Sequence, residues 1–182
     1  MPILRILPFG VLALMFAFAF ATWGGLPPEI PIHFDLDGAV TGVTSTSVQA
    51  WFGLPFITLG VHLVMVTLIY ALPNRPELFN FPDKDRFLRL PAAYQGPVVA
   101  VMQWMLDLTS LLVVLLMGTA QVMMWRAASG GDGGAWTIVM LVLTVGFVPL
   151  IALPLGRLSR AVDAAERRWR DDELAGRALP PR

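Results

Sequence analysis

The chain has 182 residues, 56% of them hydrophobic and 14% charged, with a mean hydropathy of +0.67. That balance lies outside ordinary soluble domains and points to one membrane domain. Thirteen basic residues offset thirteen acidic ones and cysteine is absent, which removes a global field for nucleic acid, disulfides, thiolate nucleophiles and cysteine metal sites.

In chain order, Arg5 precedes 18 uncharged residues, Ile6 to Trp23, enough to cross about 30 Å of hydrocarbon. This run predicts the first span over 6–23. A signal peptide ending near Ala19-Phe20-Ala21 is the rival, but its apolar core is usually shorter. Gly10, Ala13, Ala17 and Ala21 offer a small-residue face for close helix approach.

Leu26 to Thr44 is the long polar passage of the first seventy residues. Ile30, Ile32, Phe34 and Leu36 alternate with Pro31, His33, Asp35 and Asp37, a period of two that predicts a strand with one apolar and one polar face. Asp37-Gly38 is a preferred two-residue hairpin turn, with a return strand through Val40 and Val43. On this reading His33, Asp35 and Asp37 stand side by side as a candidate ligand site, and the apolar face packs on the helices.

The pattern LP-x-x-IPIHF-x-x-x-G-x-x-x-G, formed here by Leu26, Pro27, Ile30, Pro31, His33, Phe34 and Gly38, resembles a bacterial domain-of-unknown-function family. That domain is similar to the N-terminal membrane part of the sporulation-delaying-toxin immunity proteins. The resemblance covers the first two helices and the loop between them, and it implies a non-enzymatic, immunity-like or signalling accessory role.

The second span is predicted over 51–72, with Pro55 in its first turn, where a missing N–H matters little. Gly53, Gly60 and Thr67 form a candidate seam for a neighbouring helix. Thr58, His62, Met65 and Ile69 lie opposite, and His62 is expected to bond Thr58 or a carbonyl unless it carries a proton or ligand.

Residues 73–97 turn polar. Asn80 and Pro82 are a helix start signal, with Asp83 and Asp85 near its positive end, Lys84, Arg86 and Arg89 beside Phe87, Leu88 and Leu90 as an interfacial segment, and Pro91 as its stop. The third span, over 98–125, carries Gln103, Asp107, Ser110, Gly118 and Gln121 in one narrow arc, a stripe that belongs inside a bundle. A carboxylate such as Asp107 inside a membrane needs a partner or a proton.

A glycine-rich linker, 127–135, leads to a fourth span over 136–155, kinked near Gly146, Pro149 and Pro154. The remaining residues, 157–182, predict an amphipathic tail with Leu158, Val162, Ala165 and Trp169 on one stripe, supported by Asp163–Arg167 and Glu166–Arg170 pairs.

The predicted architecture is therefore all-α: a four-helix transmembrane bundle over 1–156, an extracytoplasmic extended or hairpin loop between helices 1 and 2, and a cytoplasmic amphipathic helix. Eleven basic residues in the central loop and tail against one in the other two loops place both termini in the cytoplasm of a bacterial inner membrane protein. Trp23, Trp51, Trp125 and Trp136 then mark the outer interface.

Three functions follow from these residues. The first is a non-enzymatic multi-pass protein whose outer loop senses or binds a peptide, an ion or an envelope component. The second is a small transport or proton-linked subunit using His62, Gln103, Asp107 and Gln121. The third is a metal-dependent membrane hydrolase with a metal at His33, Asp35 and Asp37, for which a second His and a general base of established position are missing. No cofactor is implied. The expected partners are the lipid bilayer and a peptide or membrane protein, not nucleic acid.

Overall fold

The computed structural model describes residues 2–131 and 134–177. Met1, the linker residues Asp132 and Gly133, and the chain end after Arg177 lie outside the described residues. The element order is α1 (Pro2–Trp23), β1 (Glu29–Phe34), β2 (Val40–Ser45), α2 (Val48–Ala71), a 3-10 turn (Pro76–Leu78), α3 (Lys84–Arg89), α4 (Ala92–Ala128) and α5 (Gly134–Leu174). Among the described residues, α1, α2, α4 and α5 are long and apolar enough to cross a membrane. All four predicted spans are present, and the chain is a mostly helical, multi-pass membrane protein.

The last two helices outrun their predicted spans. With 37 and 41 residues, α4 and α5 measure about 55 and 60 Å at 1.5 Å per residue, roughly twice a hydrocarbon core. Pro149 and Pro154 do not end α5, which runs on into the predicted tail as far as Leu174.

The chain divides into two compact units: Met1–Val64 with Ser110–Phe147, and Met65–Thr109 with Val148–Arg182. The first is organised by a cluster of Ala19, Ile30, Trp51 and Phe52, all buried, with Phe18, Leu26 and Trp125 packed on it. Trp51 is wholly buried and its Nε1–H donates to the Ala19 carbonyl at 3.0 Å, so it is a core residue where a membrane-interface anchor was expected. Ser47 caps α2, its Oγ accepting from the Ala50 N–H at 3.1 Å, which satisfies one of the amides that a helix start leaves open.

The second unit centres on Leu72, Phe87, Leu90, Val98, Leu158 and Val162. Here the apolar stripe of the tail finds its cover, and Trp169 packs beside it. The helix expected from Asn80 begins instead at Lys84, after Asp83 in the left-handed region at φ 63°. It stops at Leu90, whose extended backbone is what a residue before proline adopts.

Candidate functional site

β1 and β2 form an antiparallel hairpin, with Glu29 opposite Ser45, Pro31 opposite Val43, His33 opposite Gly42 and Phe34 opposite Val40. The Thr46 N–H donates to the Pro28 carbonyl at 2.8 Å and its hydroxyl to Pro27, which closes the base. Register shifts fall between Pro31 and His33 and between His33 and Phe34. They break the alternation expected from the sequence, because an extra residue on one strand reverses every side chain beyond it. Ile30 is buried and Phe34 half-buried, while Ile32 and Leu36 are exposed.

The turn also differs from the two-residue form. The Asp35 N–H donates to the Ala39 carbonyl at 3.0 Å and the Gly38 N–H to the Asp35 carbonyl at 3.1 Å, leaving Leu36, Asp37 and Gly38 as the loop. Gly38 has φ 85°, the left-handed position that closes three-residue hairpins. The Asp35 carboxylate holds this turn, Oδ1 accepting from the N–H of Asp37 at 3.0 Å and of Ala39 at 2.8 Å.

His33 and Asp35 line one groove with Phe34, Leu54, Met123, Met124 and Met140, a space of about 350 Å³ within the first unit. Asp37 instead borders a neighbouring groove with Leu36, Thr137 and Ile138. The three candidate residues are thus split two and one. Among the described residues no group of three His, Cys, Asp or Glu side chains is placed to hold a metal, and the hydrolase reading gains no support from geometry. The groove that remains has a polar rim and a floor of methionines, whose flexible thioethers adapt to varied apolar shapes.

His33 also lies against Gly42 across the strand pair. A Cβ on Gly42 would lie 3.0 Å from His33 Cδ2 and 3.2 Å from its Cβ. The imidazole occupies the space that this glycine leaves open, a constraint that β1 alone does not reveal.

The intramembrane polar residues are buried: His62, Asp107 and Gln121 are each less than 5% exposed, and Ser110 is equally covered. The Thr58 hydroxyl donates to the Leu54 carbonyl, while His62 pairs with α4. Its Nδ1 shares a 2.7 Å hydrogen bond with Ser110 Oγ, and Phe9 stands edge-on to the ring at 4.3 Å between centroids. Among the described residues nothing lies within 4 Å of where a Cβ on Gly53 or Gly60 would stand, whereas Thr58 and His62 on the opposite side are buried.

The two glutamines have a structural task. Pro55 has no N–H to give the Trp51 carbonyl four residues before it, and Gln121 Nε2 donates there at 3.2 Å. Pro73 leaves the Ile69 carbonyl in the same position, and Gln103 Nε2 donates to it at 3.0 Å. A carbonyl freed by proline in an apolar helix has to be satisfied by a neighbour. The polar stripe is partly a set of caps for proline-broken ladders in α2.

An integral multi-pass membrane protein is the class these helices define. Residues 10–59, covering most of α1, the hairpin and the first half of α2, match a family model described as Domain of unknown function (DUF1648). No curated protein and no solved structure matches the chain.

Proposed function

We propose that the protein is a non-enzymatic membrane receptor or accessory whose hairpin faces the outside of a bacterial inner membrane and recognises an envelope component or peptide in the groove beneath it. The observation that carries this reading is the groove itself, polar at His33 and Asp35 and apolar at its methionines, as an amphiphilic ligand at a membrane surface requires. The resemblance of the LP-x-x-IPIHF passage to the immunity-protein domain supports a protective or signalling role. The asymmetry of basic residues supports cytoplasmic termini.

A chain without cysteine suits single-cysteine labelling. Leu36 is 88% exposed and Leu174 87%, so Leu36→Cys should react with a membrane-impermeant maleimide on intact cells and Leu174→Cys only after permeabilisation. The reverse pattern would overturn the orientation. Ile32→Cys, in the groove, should label more slowly in cells than after purification if an envelope component fills that space; equal rates count against occupancy.

A second reading, a proton-linked subunit, has one observation in its favour: Asp107 and the His62–Ser110 pair are buried within apolar helices. Intramembrane ionisable groups commonly serve ion or proton movement. Asp107→Asn keeps the shape and removes the charge, and an unchanged pH dependence of transport in vesicles would retire this reading.

A further inference from the structure

Arg157 is the first charged residue of α5, after 21 uncharged residues from Trp136 to Gly156. On α4, Trp104 stands 21 positions before Trp125. Each stretch is about 31 Å of helix, one hydrocarbon thickness. Counted along two different helices, Trp104 and Arg157 therefore reach the same membrane face, at the depth where the headgroups begin. Within the second unit the two residues meet, the Arg157 guanidinium lying over the Trp104 ring at 5.0 Å from its centroid.

A stacked guanidinium uses its flat face and keeps the N–H groups around its edge for other acceptors. Arg160, one turn on, donates Nε to the Gly156 carbonyl at 3.0 Å. That bond draws its side chain back over the turn that bears Arg157 and leaves its terminal nitrogens as donors. Gly156 keeps the approach open, with nothing among the described residues within 4 Å of where a Cβ would stand. Both arginines are exposed, and neither makes a salt bridge among the described residues. Asp163, the next carboxylate along the helix, is taken by Arg86 at 2.8 Å. Like charges three positions apart on a helix repel, so these two guanidiniums favour an anion that bridges them.

We propose that Arg157 and Arg160 bind the phosphate of an anionic membrane lipid, with Trp104 as the positioning residue that holds Arg157 at headgroup depth. Guanidinium groups meet phosphate oxygens with paired N–H donors, and a phospholipid carries its phosphate where the hydrocarbon ends. A zwitterionic headgroup brings its own cation and gains less from two arginines. The site is separate from the hairpin groove. It rests on the lengths of the spans, not on the function or the sidedness proposed above.

The test places the full chain in nanodiscs of equal parts phosphatidylcholine and phosphatidylglycerol and counts, by native mass spectrometry, the lipids that stay bound on ejection. Retained lipid should be enriched in phosphatidylglycerol by about tenfold, the scale set by two basic residues at a headgroup. Arg157→Gln/Arg160→Gln should abolish the enrichment and, since both side chains are exposed, leave the thermal transition unchanged. Arg167→Gln/Arg168→Gln removes the same charge from exposed positions farther along α5 and should keep the enrichment. Trp104→Phe retains an aromatic face and should keep it too, while Trp104→Leu should reduce it severalfold. Inorganic phosphate equimolar with the lipid should not displace it. The proposal is overturned by a parent protein without enrichment, by enrichment that survives the loss of Arg157 and Arg160, or by an equal loss in the Arg167 and Arg168 variant. An unchanged ratio in Trp104→Leu also counts against it, and displacement by inorganic phosphate assigns the site to a free anion instead of a lipid.

Discussion

The hairpin region and the α3 region both anchor a short element on a buried apolar residue, Ile30 in one and Phe87 in the other, yet they treat charge in opposite ways. In the second unit Arg86 Nη2 reaches Asp163 at 2.8 Å and Glu166 at 2.6 Å, Asp83 lies 3.4 Å from Nη1, and Arg170 adds a second contact to Glu166 at 2.7 Å. In the hairpin, Glu29, Asp35 and Asp37 make no salt bridge among the described residues, and no Lys or Arg occurs from Ile6 to Asn74. One region spends its charges on itself. The other ties the Asp35 carboxylate to its own turn and leaves Glu29 and Asp37 exposed, with no cation beside them among the described residues.

If both regions are held chiefly by their apolar anchors, removing an anchor should outweigh any change of charge. Phe87→Ala should destabilise the second unit by about 3 to 5 kcal/mol, and Ile30→Ala the first by about 2 to 5 kcal/mol, the usual range for emptying a packed site. Hydrogen exchange resolved by segment should show each loss confined to its own unit. A small, equal effect of both variants would mean that the anchors are not what distinguishes these regions from loops.

Next in size are the glutamine caps, one in each unit. Gln121→Leu or Gln103→Leu leaves a helix carbonyl unsatisfied, a loss of about 1 to 3 kcal/mol. Pro55→Ala should cancel most of the loss at Gln121, because the new N–H takes over the Trp51 carbonyl. Additive effects in the resulting double-mutant cycle would disprove the link between Pro55 and Gln121.

The charged latch should answer to acid where the hairpin does not. Hydrogen bonding to Arg86, then to Arg170, holds the Glu166 carboxyl below its ordinary value of 4.5, and hydrogen bonding to Glu166, then to Asp163, raises the Arg86 guanidinium. A carboxylate lowered in the folded state contributes stability that is complete above the ordinary value and lost as pH falls through the depressed one. The protection factor of the Phe87 amide, which donates to the Asp83 carbonyl at 3.0 Å, should therefore fall below about pH 4.5 in the parent protein. Glu166→Gln should remove that dependence; persistence would place its origin elsewhere. The effect is modest, since these groups are partly exposed and screened.

Much of this contrast was legible in the residues. The four spans announce themselves by length and lack of charge, and the apolar stripe Leu158, Val162, Ala165 was visible at helical spacing, although its cover by Phe87 and Leu90 was not. Arg86 read as an interfacial residue because its partners lie 77 and 80 positions away, beyond any local pattern. The caps were hidden for a related reason: Gln103 and Gln121 look like a polar pathway until the prolines four residues beyond Ile69 and Trp51 are set against them. In the hairpin, strict alternation was the natural expectation, and only pairing with β2 discloses the shifts that turn Ile32 outward.

The smallest expected effect tests whether the hairpin holds His33 in place. Gly42 has the imidazole across it, and a Cβ at this position would stand 3.0 Å from Cδ2, closer than side-chain carbons normally approach. Gly42→Ala must push His33 aside or open the strand pair. Because His33 is exposed, the ring can move into solvent, and a methyl group favours a strand over glycine, so the two terms nearly cancel and stability should change by less than about 1 kcal/mol. The position of the ring should nevertheless change. The imidazole resonances of His33 should shift in Gly42→Ala while those of His62, buried against Phe9 and Ser110, stay where they are. If the groove acts through His33, Gly42→Ala should also raise Ile32→Cys labelling in intact cells with no loss of folding. A shift of the His33 resonances without any change in labelling would separate the two, leaving the glycine as a packing device and the imidazole outside the recognition surface.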